Sequence, residues 1–145
     1  MSSRKKQGEN EYCPVNCKLN NGKFCGKCCL NTEMPLTKDD IKRIEKLGYP
    51  KEYFITYKNG IPRLRNINGH CIFLDIQTRK CKIYEHRPTG CRLYPLVYDA
   101  EKRGVIVDNL CPKAKEIPEK DVKKLKMKVI ELLKTLEEEY NVKLL

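Results

Sequence analysis

No stretch of this 145-residue chain approaches the roughly 20 consecutive apolar residues that would span a bilayer. The opening run Met1 to Glu11 is polar and charged and lacks the apolar centre of a secretory signal. These two absences predict a cytoplasmic protein with no membrane segment, in a compartment where thiols stay reduced. Two familiar metal patterns are missing as well. Only Cys25 and Cys28 stand two residues apart in the Cys-x-x-Cys manner, so there is no zinc ribbon, which needs two such pairs. The compact cysteine run of bacterial ferredoxins is also absent. No aromatic–basic signature of nucleic-acid binding and no recognisable Cys–His catalytic setting occur, and no internal repeat is evident. The length suits one domain.

Cysteine is what the chain does have, nine in all: Cys13, Cys17, Cys25, Cys28, Cys29, Cys71, Cys81, Cys91 and Cys111. In a reducing compartment this usage favours metal ligation over disulfides. Cys25 and Cys28 can chelate one ion from a single tight turn. Adjacent side chains diverge, so Cys29 is expected to face a second centre, or another side of a multinuclear one. Eight cysteines would fill two four-thiolate sites and leave one over; a single site would leave five. The cysteines are scattered, so a metal that gathers them would tie distant segments together. In a small domain, binding free energy of that kind becomes folding free energy. Thiolate sites suit zinc or an iron–sulfur cluster, and spacing alone does not choose between them.

The formal charge is +11. Residues 1–35 contribute +3, residues 36–115 contribute +8, and residues 116–145 are neutral. The excess therefore sits in the cysteine-bearing body. Four thiolates around a divalent ion leave about −2 per site, and Lys18, Lys23, Lys27, Arg79, Lys80, Lys82, Arg87 and Arg92 lie beside cysteines in sequence where they could offset it. An acidic partner such as nucleic acid is the alternative use of the same charge.

Residues 1–11 read as a disordered tail and 12–145 as one domain. Residues 12–35 form an irregular cysteine loop. A short helix follows, with Thr37 as cap, Asp40 completing a capping box, Leu36 and Ile41 as a hydrophobic staple and Gly48 past its end. Three hairpins are expected next. Residues 53–57 and 61–65 flank Asn59-Gly60, with Pro62 marking the second strand as an edge. Residues 71–75 and 81–84 flank a turn over 77–80, and residues 96–98 and 105–107 flank a turn containing Gly104. Together they predict a small antiparallel sheet. From Pro118 to Tyr140 the apolar residues Val122, Leu125, Val129, Leu132, Leu136 and Tyr140 recur at steps of three and four, the mark of a long helix. Its stripe either packs on the body or forms a homodimer seam. The fold class is α+β, centred on metal.

Several smaller features have plain structural readings. Asp75 is expected to cap the turn at Gln77. Tyr84, Tyr94 and Tyr98 are expected to pack the core. Glu85 and Arg87, on either side of His86, are expected to brace the turn before Pro88. His70, beside Cys71, is not needed as a ligand where cysteine is so abundant.

Taken in order, Phe24-Cys25-Gly26-Lys27-Cys28-Cys29, Gly69-His70-Cys71-Ile72-Phe73-Leu74-Asp75, Lys80-Cys81-Lys82-Ile83-Tyr84-Glu85, Arg87-Pro88 and Cys91-Arg92-Leu93-Tyr94-Pro95 resemble the YkgJ-type cysteine-cluster family of zinc- or iron-chelating domains. The resemblance covers roughly residues 13–112. The first cysteine of that family's CxxCxxCC motif falls here on Gly22, so Cys17 or Cys13 must substitute for it. Flagellin lysine-N-methylase is similar over the cysteine region, and that likeness implies an iron–sulfur cluster, of the 4Fe-4S type, in preference to zinc. This short chain has no recognisable S-adenosylmethionine pocket, so methyl transfer does not carry over, and no residue pattern identifies a reaction. The expected ligand set is Cys17, Cys25, Cys28, Cys29, Cys71, Cys81, Cys91 and Cys111, with Cys13 spare. The expected function is electron transfer or cluster-assisted modification of a macromolecular partner. A zinc-stabilised module whose basic face contacts nucleic acid or another acidic partner is the alternative.

Overall fold

The structure, a computed structural model, describes Cys29, residues 33–108 and residues 114–145. The expected tail over 1–11 and most of the cysteine loop lie outside the described residues. The first helix, α1 (Lys38–Lys46), starts as its local sequence dictates. Thr37 Oγ1 accepts the Asp40 N–H at 3.0 Å, and the Asp40 carboxylate accepts the Thr37 N–H at 3.1 Å. Leu36 and Ile41 are both buried, as a staple requires. Gly48, at φ +105°, takes the positive-φ position just past the helix end.

Tyr53 and Phe54, expected in a strand, belong instead to a helical turn, α2 (Lys51–Phe54), entered from Pro50. Phe54 and Ile55 are both buried. Neighbours in a strand point to opposite faces, so a helical turn is what lets both reach one core. Strands β1 (Ile55–Lys58) and β2 (Ile61–Leu64) then pair antiparallel around Asn59-Gly60, whose φ values are both positive.

Strand β2 is not the edge that Pro62 suggested. Its far side pairs with the chain at Pro35, through Leu36 N–H to the Pro62 carbonyl and Leu64 N–H to the Met34 carbonyl, each 2.9 Å. An antiparallel pair opposite Leu36 would return a bond from residue 62, which proline cannot donate. The Tyr140 hydroxyl supplies it, donating to the Leu36 carbonyl at 2.7 Å. That substitution is how a proline is accommodated between two neighbours.

The next hairpin, β3 (Asn66–Ile67) with β4 (His70–Cys71), turns at Asn68-Gly69, both at positive φ. It pairs Cys71 with Asn66. The expected hairpin over 71–84 shrinks to one bridge, Leu74 to Cys81. The reason is local: Leu74 N–H bonds back to the Cys71 carbonyl at 2.9 Å, and Tyr84 N–H to the Cys81 carbonyl at 3.1 Å. Both cysteines thus open tight turns, not strands. Asp75 caps its turn as expected, accepting from Gln77 N–H at 2.9 Å and Thr78 N–H at 3.2 Å.

A 3-10 turn (Tyr84–His86) and a five-residue helix, α3 (Thr89–Leu93), follow. Strands β5 (Leu96–Asp99) and β6 (Gly104–Val107) pair in register from Leu96↔Val107 to Asp99↔Gly104. Gly104 opens β6, and Arg103 takes the positive φ of the turn. The three ladders stay separate two-stranded units and do not merge into the single sheet expected. β2 shows why: its outer edge is already paired to the Pro35 segment.

The long helix is α4 (Glu119–Tyr140), with Pro118 at its N-cap. Its stripe is buried at Leu125, Val129, Leu132 and Leu136 and packs on α3, β5 and β6 of the same chain. Two apolar clusters result. The first gathers Leu36, Ile44, Phe54, Phe73 and Ile83, and the second joins Leu93 and Leu96 to the α4 stripe. Helix α3 bridges them, since Cys91 packs against the first and Leu93 lies in the second. The architecture is a small α+β domain. Among the described residues no helix is long and apolar enough to cross a membrane.

Candidate metal centre

Four of the nine cysteines lie among the described residues, and all four meet one cluster. Cys71 is 4% exposed and forms part of the first core cluster, while Cys29, Cys81 and Cys91 are half-buried against it. They arrive from four separate stretches of chain. Cys71 is set by its pairing with Asn66, Cys81 by its bridge to Leu74, and Cys91 by helix α3. The expected ligands Cys17, Cys25, Cys28 and Cys111, with the spare Cys13, lie outside the described residues. Among the described residues, no three His, Cys, Asp or Glu side chains form a group that would hold an ion by itself. The donor chemistry gathered at the cluster is thiol, which suits zinc or iron. The described four do not complete a site.

The chain around Cys81 and Cys91 is held by arginines. Arg87 Nε donates to the Tyr84 carbonyl at 2.7 Å, and its guanidinium lies 4.0 Å from the Tyr84 ring centre. The turn before Pro88 is therefore braced through Tyr84, while Glu85 points to solvent. Arg92 Nε donates to the Arg87 carbonyl at 3.0 Å. His70 turns one ring nitrogen, Nδ1, to the Cys71 carbonyl at 2.9 Å. Lys80 Nζ stands 5.9 Å from the Tyr84 ring centre. Tyr84 thus works as a platform for two cations more than as core filling. Tyr94 donates its hydroxyl to Asp108 at 2.7 Å, and Tyr98 packs against the second cluster.

One functional-looking group escaped the sequence reading. The Asp40 carboxylate, which the capping box already explained, is fully buried. It reaches across to Thr89 at the start of α3, accepting from the Thr89 N–H at 3.1 Å and hydroxyl at 3.0 Å. Arg43 pairs with the same carboxylate oxygen. Nothing in the local sequence announces a contact between residues so far apart.

A family model whose description is "Putative zinc- or iron-chelating domain", named CxxCxxCC, matches residues 16–112. The chain belongs to the CxxCxxCC family. Membership supports metal binding, by zinc or iron. The matched span begins after Cys13 and contains the other eight cysteines. A relative in Methanocaldococcus jannaschii, the uncharacterised protein MJ0661, is 42% identical over 80 residues, which is 49% of this chain and 41% of that protein. The match of this CxxCxxCC chain thus spans about two fifths of the length of that relative, 41%. No solved structure matches it.

Proposed function

We propose that this CxxCxxCC protein carries an iron–sulfur cluster of the 4Fe-4S type and serves electron transfer or cluster-assisted modification of a macromolecule. The proposed ligands are Cys17, Cys25, Cys28, Cys29, Cys71, Cys81, Cys91 and Cys111, with Cys13 outside the set. The observation that carries the reading is the convergence of Cys29, Cys71, Cys81 and Cys91 on one apolar cluster from four stretches of chain. A thiolate-bound cluster supplies one-electron chemistry whose potential follows burial and hydrogen bonding around its sulfurs. The chain contributes apolar cover through Cys71, Phe73 and Ile83, and it surrounds the Cys81–Cys91 stretch with Arg43, Arg87 and Arg92.

The test is elemental analysis and an absorption spectrum of full-length protein purified without oxygen. Near-stoichiometric iron and sulfide with a visible band is the expected result. Zinc without colour would overturn the cluster reading. It would favour the alternative, a zinc-stabilised module whose net charge of +11 faces nucleic acid or another acidic partner. Binding that weakens steeply with salt would then be its signature.

A further inference from the structure

We propose that Asp40, with Arg43, is a positioning residue for the metal centre, setting the place of Cys91 through the N-terminus of α3. The inference rests on the reading of Cys91 as a metal ligand.

A carboxylate with no exposed surface is costly unless every lone pair meets a donor. Capping α1 needs only Oδ2, which takes the Thr37 N–H. Oδ1 does separate work. It accepts the Thr89 N–H, the Thr89 hydroxyl and the Arg43 guanidinium. Thr89 opens α3, a helix of five residues whose N-cap, Pro88, offers no side-chain bond. So short a helix does not hold itself together in water. Its first amide is anchored by Asp40, and Cys91 sits two residues further on.

Arg43 extends the grip. Its Nη1 faces the His86 carbonyl at 3.4 Å and the Arg87 carbonyl at 3.3 Å, on the far side of Pro88. Arg92 closes the loop onto the same Arg87 carbonyl. Cys71 and Cys81 are placed by backbone bridges. Cys91 lies on an element anchored through a buried charged side chain. A residue of α1 thereby controls a thiol carried by a segment 49 positions later.

The substitution Asp40→Asn keeps the size and removes one acceptor oxygen. A single oxygen can serve the cap or α3, not both. The test is peptide-resolved alkylation with N-ethylmaleimide on full-length protein carrying its purified metal, before and after EDTA. In the wild type, metal removal is expected to speed Cys91 labelling. In metal-loaded Asp40→Asn, Cys91 labelling is expected to rise about tenfold while Cys29 stays protected. Thr89→Val, which removes one donor, is expected to move Cys91 the same way by less. Leu136→Ala, a core change in the second cluster, lowers the melting temperature without selective labelling at Cys91.

Equal Cys91 protection in wild type and Asp40→Asn, with protection still dependent on metal, would overturn the inference and leave the metal centre standing. Should Asp40→Asn not fold, an unchanged Cys91 rate in Thr89→Val overturns it. If wild-type Cys91 labels equally with and without metal, Cys91 is no ligand, and the underlying reading falls together with this one.

Discussion

Substituting Gly90 with alanine tests how tightly α3 is wedged between the two clusters. A Cβ at Gly90 would lie 2.3 Å from Met34 Sδ and 3.3 Å from its Cγ, with Leu132 Cδ2 at 3.6 Å. Met34 is nearly buried, and its carbonyl is tied to the Leu64 N–H. The side chain must therefore retreat by about 1 Å inside a packed cluster to restore normal contact. Overpacking of this kind costs about 1–3 kcal/mol. Alanine returns about 1 kcal/mol of helix propensity, which leaves a net loss near 1 kcal/mol. For a chain of this size that lowers the melting temperature by about 2–4 °C. Urea and thermal unfolding of wild type, Gly90→Ala, Met34→Ala and the double variant would measure it. Shortening Met34 clears the clash while the propensity gain remains, so the double variant should be more stable than the sum of the singles predicts by the overpacking cost itself, about 2 kcal/mol. A cycle with no coupling between Gly90→Ala and Met34→Ala would refute the packing argument.

Tyr140→Phe removes the hydroxyl that serves the Leu36 carbonyl, with an expected loss of about 1–2 kcal/mol in urea unfolding. Pro62→Ala in that background restores a donor and should recover part of it. Burial pushes the Tyr140 hydroxyl up to about 12, with nearby Glu139, Asp40 and Tyr57 adding to the effect. A raised value favours the protonated form in the folded state, so its contribution is complete below about pH 10 and is lost as pH climbs through 12. Melting temperature against pH should show that alkaline loss in wild type and lack it in Tyr140→Phe. Cys28→Ser is expected to lower metal content and melting temperature together, while Cys13→Ser changes little. Metal per chain and thermal melts measure both, and equal loss in the two would assign Cys13 to the site.

Much of the local structure is written in short runs of residues. The capping box at Thr37, the Asn59-Gly60 turn, the Asp75 cap and the α4 stripe all depend on neighbours within a few positions, and each appears where expected. Asn68-Gly69 carries the same turn signal and closes the β3–β4 hairpin. The hairpin over 71–84 gave way to local turns at Cys71 and Cys81, whereas at Phe54 and Pro62 competition from distant segments decided. Phe54 left its strand because the core demanded two adjacent side chains at once. Pro62 became a two-sided partner because Tyr140, from the far end of the chain, supplied the missing donor.

The same division governs the candidate site. Thiol count and spacing determined by themselves that metal chemistry, with soft ligands, was the reading to pursue, because ligand type and short chelate spacing are local properties. That Cys29, Cys71, Cys81 and Cys91 share one cluster, and that the carboxylate of Asp40 anchors the helix bearing Cys91, follows from burial of apolar surface between distant segments. Such contacts form only when the whole core closes, so no window of sequence contains them.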